Sequence, residues 1–139
     1  MTGTLLRVRL IALAAIAAFL ALALGIRLAV TGGGILNSSP ALAQYSGTAL
    51  YAATVYAAVF ALVPRARPWA AAAGALVFCW LVEFFQITGI PARLSDDSVL
   101  ARLALGRTFD PDDLLWYAVG ILPVVLLHRL LTRHRSAGH

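Results

Sequence analysis

Apolar residues along this chain come in long blocks divided by short polar punctuation. Four blocks approach the roughly 20 residues that a helix needs to cross a bilayer at about 1.5 Å rise per residue. They run over about 5–30, 48–63, 68–89 and 113–131. The pattern predicts an all-α fold: an integral membrane bundle of four transmembrane helices in one polytopic domain, residues 1–139. The second block is the shortest. The first carries no polar residue between Leu10 and Gly25, which suits a peripheral helix facing lipid on most sides.

The punctuation sharpens the ends. Thr31-Gly32-Gly33-Gly34 stops the first helix, because glycine runs are poor helix formers. Residues 35–46 then read as an uncharged outer loop. Pro64-Arg65-Ala66-Arg67-Pro68 is a tight basic turn, with Pro68 placed to open the third helix and Trp69 beside it as an interfacial anchor. Ile90-Pro91 reads as the end of the third helix. Ser95-Asp96-Asp97-Ser98 has the form of a helix start, with Ser95 as N-cap. Val99, Leu100, Leu103 and Ala104 follow at helical spacing opposite Arg102, and Gly106 supplies a stop. This predicts a short amphipathic helix, Asp96–Leu105, on the outer surface between helices 3 and 4. Asp110 is a second N-cap, with Pro111 at the first helical position. Asp112 and Asp113 follow in the first turn, where acids complement the helix dipole.

Composition fits a membrane protein: 61% of residues are hydrophobic and 12% charged. The net charge of +5 comes from eleven cations, all of them Arg. They cluster at segment ends, so no nucleic-acid partner is implied. Seven lie at the termini and in the second loop (Arg7, Arg9, Arg65, Arg67, Arg129, Arg133, Arg135). Four lie on or near the other side (Arg27, Arg93, Arg102, Arg107). The positive-inside rule then puts both termini and the short second loop on the cytoplasmic side of the membrane. An alternative reading makes the N-terminus a secretory signal ending at Ala41-Leu42-Ala43, although the apolar stretch is about twice the usual length. Cys79 is alone in the third block and reads as a small buried hydrophobe. His128, His134 and His139 read as a solvated basic tail, with no metal-ligand spacing and no cofactor motif.

Candidate chemistry centres on Glu83, a carboxylate at hydrocarbon depth, where a charge costs about 2.5–3.5 kcal/mol unless partnered. Gln86 is one turn along the same helix face. Arg93 follows shortly, while Asp113 and Tyr117 share a face at the start of the fourth helix, with Gly120 one turn beyond. Two readings stand. Glu83 and Arg93 form a structural brace, Asp112 and Asp113 serve the helix terminus, Tyr117 packs and Gly120 is a point of close helix approach. Alternatively Glu83, Gln86, Arg93 and Asp113 line a water-accessible pocket open to the outer face.

Glu83-Phe84-Phe85-Gln86, then Arg93, Leu105-Gly106, Phe109, Asp113, Tyr117 and Gly120, resemble the pattern of an uncharacterised bacterial membrane family, domain of unknown function 2809. That family is similar in turn to the VanZ-like membrane proteins, which share a Glu-x-x-Gln element followed by Arg and Asp. The resemblance covers about Gly47 to Val125. Where the family has Gly-Asp at the start of the second span, this chain has Gly47-Thr48, so a proton relay lacks one acid. The ribosome-maturation label that some members carry finds no support in these residues. VanZ-like proteins are associated with resistance to lipid-anchored glycopeptides, which implies an outer-leaflet role.

Three functions compete. The first is a non-enzymatic binding or modulatory protein whose polar pocket takes a lipid headgroup or envelope precursor. The second is an enzyme on such a substrate, with Glu83 as general base and Arg93 steadying an anion; it lacks a Ser/His pair, an exposed Cys nucleophile and a metal cluster. The third is a proton-coupled carrier, for which four helices would need a homo-oligomer. The first is the reading carried forward. Membrane lipids are its expected surroundings, and a homo-oligomer is left open.

Overall fold

The computed structural model describes residues 2–31 and 40–137, and among them every regular element is helical. The elements are α1 (Thr2–Thr31), α2 (Pro40–Leu62), α3 (Pro68–Gln86), α4 (Ile90–Asp97), α5 (Val99–Leu105) and α6 (Pro111–Ala137). Four of them, α1, α2, α3 and α6, are long and apolar enough to cross a membrane. The four-span, all-α architecture stands.

α2 is the hub, packing against α1, α3 and α6, and α3 also packs on α6. The shared core joins small residues (Ala52, Ala71, Ala72, Ala75, Cys79) to Tyr56, Phe60, Tyr117, Ile121 and Val125. Small side chains let helix backbones approach, which matters where lipid tails are as apolar as leucine and burial alone drives nothing together. Cys79 is fully buried there, as a small hydrophobe should be. α1 is peripheral: Ala12 and Val30 are its buried side chains, while Leu6, Leu10, Leu13, Leu20 and Leu24 are more than half exposed. Such a surface needs acyl chains around it.

α2 and α6 run the same way, with partners matched in ascending order from Gln44 and Asp110 to Tyr56 and His128. α3 runs against them, so Trp69 at its start meets Arg129 near the end of α6 and Glu83 near its end meets Tyr117. The bundle therefore has an arginine end and an acidic end.

Several boundaries differ from the sequence reading. α2 begins at Pro40, not Thr48, because the polar residues that interrupt the apolar block are satisfied in helical form. Ser46 Oγ donates to the Leu42 carbonyl at 2.5 Å and Thr48 Oγ1 to the Gln44 carbonyl at 3.1 Å. The glycine run and residues 35–39 of the predicted outer loop lie outside the described residues. α3 stops at Gln86, and Gly89 at φ 73° turns the chain. Ile90-Pro91 therefore opens a helix, α4, rather than ending α3; proline suits a first turn, where its missing N–H is no loss. The single amphipathic helix predicted over Asp96–Leu105 is two helices, broken where Ser98 is extended (φ −143°, ψ 122°). Ser98, not Ser95, is the cap, its side chain accepting from the Ala101 amide at 3.3 Å. α6 starts at Pro111, two residues before the predicted span.

Candidate functional site

Glu83 is fully buried, and both its oxygens are occupied. Oε1 accepts the Asp110 backbone N–H at 2.6 Å and Oε2 accepts the Tyr117 hydroxyl at 2.7 Å. Asp110 is the residue before Pro111, so the carboxylate of α3 grips the main chain at the point where α6 begins. A helix N-terminus carries partial positive charge, which compensates an anion there without any cation. Arg93 is not the partner. It sits exposed on α4, beyond the Gly89 turn, and among the described residues the ion pair formed is Arg107–Asp96 at 2.7 Å. The Glu83–Arg93 brace predicted from proximity in sequence is replaced by a brace to α6.

Asp110 precedes α6 as its cap and Asp112 and Asp113 lie in its first turn, and α2 supplies a donor to each. Asp110 Oδ1 caps its own helix, accepting from the Asp112 amide at 3.0 Å, while Oδ2 accepts from Gln44 Nε2 at 2.7 Å. Asp112 Oδ2 accepts from the Tyr45 hydroxyl at 3.3 Å, and Asp113 Oδ1 lies 3.0 Å from Thr48 Oγ1, sharing that hydroxyl's single hydrogen with the Gln44 carbonyl. The Tyr45 ring stacks on Trp116 with centroids 5.0 Å apart. Asp112 and Asp113 lie in the first turn of α6 and dock it on α2.

The stretch between α5 and α6 is pinned from three sides. Gln86 Nε2 donates to the Leu105 carbonyl at 2.7 Å, Ser95 Oγ to the Gly106 carbonyl at 2.8 Å and the Tyr51 hydroxyl to the Ala104 carbonyl at 2.7 Å. Arg102 spans back to the Ser95 carbonyl through Nε and Nη2 at 3.2 and 2.9 Å. Ser95 is thus a buried anchor. Gly106 has φ 66° and ψ −164°, a region reserved for glycine, and a Cβ there would lie 2.7 Å from Gln86 Nε2. Gly106→Ala is expected to cost about 1–3 kcal/mol by strain and loss of the Gln86 bond. Thermal unfolding in detergent measures it; an unchanged midpoint would mean that the loop is not clamped.

Beside this clamp a cleft of about 470 Å³ opens at the acidic end, between α2, the loop before α6 and α6 itself. Its walls include Arg27, Gln44, Thr48, Gln86, Asp113 and Tyr117. Among the described residues the buried Oε1 of Gln86 has no hydrogen-bond partner. Glu83 stands behind the wall, not in it. Of the five residues picked from sequence, Glu83, Gln86, Asp113 and Tyr117 come together and Arg93 does not. Sequence reasoning does not reach Gln44 and Tyr45, and it notes Thr48 only as the position where the family has Asp; Gln44 and Thr48 are four apart on one face of α2, a spacing visible once the helix is extended to Pro40.

His128 is also misplaced by the sequence reading. It lies within α6, its Nδ1 2.8 Å from the buried Tyr56 hydroxyl and its ring 4.9 Å from Phe60. The side chains of His134 and His139 lie outside the described residues. Among the described residues no three His, Cys, Asp or Glu side chains converge as a metal site.

No curated protein and no solved structure matches the chain. A family model does, over residues 38–121. That match takes in α2 to the first turns of α6, and with them Glu83, Gln86, Arg93, Asp113 and Tyr117. The chain belongs to the family described as "Protein of unknown function (DUF2809)".

Proposed function

We propose that this is a non-enzymatic membrane protein that binds a polar headgroup in the cleft at its acidic end, and so sequesters or presents a lipid or lipid-linked envelope precursor. The observation that carries this reading is a cleft with both signs of charge on its rim, Arg27 against Asp113, with Asp110 and the Asp96-paired Arg107 beside them. Such a rim suits a zwitterion, a phosphate with an ammonium group a few ångströms away, better than a simple anion. With the arginine end in the cytoplasm, as the positive-inside rule favours, the cleft faces the outer leaflet. Catalysis by Glu83 is disfavoured, since a general base needs an oxygen within reach of substrate and both of its oxygens are engaged behind the wall.

Glycerophosphoethanolamine is the probe. A ligand at ten times its Kd stabilises a one-site protein by about 1.4 kcal/mol, enough to raise Tm measurably. Millimolar probe is expected to raise Tm in the natural protein and not in Asp113→Asn/Arg27→Gln. No shift in the natural protein, or an equal shift in both, overturns the proposal.

A further inference from the structure

A second cleft, of about 500 Å³, lies at the opposite end, where the start of α3 meets the end of α6. Its lining joins Arg67, Arg129, Arg133 and Thr132 to the largely apolar surface of Pro68, Trp69 and Ala70. Arg129 and Arg133 are one turn apart on one face of α6, an arrangement that repels itself. The Arg129 guanidinium lies over the Trp69 ring, 5.5 Å from its centroid. The first turn of α3 adds to the same sign: Arg67 is its N-cap without a side-chain hydrogen bond, and first-turn amides have no acceptor within their own helix.

Nothing acidic balances this. Five of the six acids lie between Asp96 and Asp113, at the other end of the bundle. The sixth, Glu83, is about 21 Å along α3 from Trp69 at helical rise. Complementing the carbonyls at the end of α6 accounts for Arg129 and Arg133. It does not account for Arg67 converging from the other side. Trp69 is half exposed at the helix start, where indole rings sit at headgroup depth.

We infer that this cleft is an anion site that binds a phosphate group, presented by an anionic phospholipid of the adjacent leaflet. Two arginines and a helix terminus hold the phosphate oxygens by charge-assisted hydrogen bonds, and the Arg129–Trp69 pair forms the wall. Basic recesses between membrane helices recognise lipid phosphates on these terms, each arginine contributing on the order of fivefold in affinity. The site is independent of the acidic-end cleft and of the ligand proposed for it.

Native mass spectrometry of the full chain, titrated in detergent with phosphatidylglycerol, phosphatidylcholine or sodium phosphate, tests the inference. The natural protein is expected to retain phosphatidylglycerol over phosphatidylcholine. Arg67→Gln/Arg133→Gln, which spares the Arg129–Trp69 contact, should weaken phosphatidylglycerol binding roughly tenfold or more. Arg7→Gln/Arg9→Gln removes as much charge from the same end and should change it less than about twofold. If the first pair fails to fold, the two single variants replace it, each with a loss of roughly fivefold. Equal losses in both pairs, or no preference between the two lipids, overturn the inference. Binding of sodium phosphate without phosphatidylglycerol retention, lost in Arg67→Gln/Arg133→Gln, supports the phosphate site and overturns lipid as its source.

Discussion

Replacing Glu83 by alanine is expected to destabilise the bundle by about 2–4 kcal/mol, while Arg93→Ala changes stability by less than about 0.5 kcal/mol. The first figure follows from two donors left without an acceptor, the buried Tyr117 hydroxyl and the part-buried Asp110 N–H, each costing about 1–3 kcal/mol at full burial. The second follows from an exposed arginine that Glu83 does not touch. Glu83→Gln separates charge from shape. Its carbonyl oxygen still accepts the Asp110 amide, and its NH₂ donates to the Tyr117 oxygen once that hydroxyl turns, so the loss should be nearer 1 kcal/mol. A double-mutant cycle between Glu83→Ala and Tyr117→Phe should show coupling on the order of 1 kcal/mol, and one between Glu83→Ala and Arg93→Ala none. Reversible unfolding in detergent measures all of these. Coupling to Arg93 instead of Tyr117 would restore the brace that proximity in sequence suggests.

Block length and arginine placement were enough to read four spans, because hydrocarbon thickness fixes how much apolar helix is needed. The peripheral role of α1 was legible for the same reason, in its lack of polar positions. What sequence could not weigh was a polar residue whose partner is distant along the chain. Gln44 and Tyr45 look like loop residues, and Thr48 like the mere start of a span, until Asp110, Asp112 and Asp113 are set against them, more than 60 positions away. Glu83 presented the same difficulty. Its neighbours in sequence include an arginine, but its partners in space are a backbone N–H and a tyrosine, and backbone donors leave no mark in a sequence. The α4–α5 break turned on a choice between two serines. Ser95 and Ser98 both flank Asp96-Asp97, and only the Gly106 carbonyl above Ser95 decides which is buried and which caps. His128 was grouped with the tail because Arg129 follows it, although Tyr56 lies opposite.

Gly120→Ala should be the most damaging single-methyl change in the chain. A Cβ at position 120 would collide with the Ala49 carbonyl oxygen and lie 2.6 Å from its carbon and 2.7 Å from its Cα, well inside van der Waals contact. These are main-chain atoms, so no side chain can move aside. α2 and α6 must separate along their parallel contact, straining the Thr48–Asp113 and Gln44–Asp110 bonds about two and three turns back along α6. Forced overpacking of this kind costs about 1–3 kcal/mol and occasionally more. Two comparisons make the cause testable. Gly47 and Gly74 are also helical, and a Cβ at either meets nothing within 4 Å. Alanine at Gly47 or Gly74 should therefore be neutral or stabilising by up to about 1 kcal/mol, as helix propensity dictates. Ala49→Gly should fail to rescue Gly120→Ala, since it removes a methyl group and leaves the obstructing carbonyl in place. Rescue by Ala49→Gly, or equal effects at positions 74 and 120, would show that α2 and α6 do not meet backbone to backbone, and the cleft they frame with the α6 terminus would have to be redrawn.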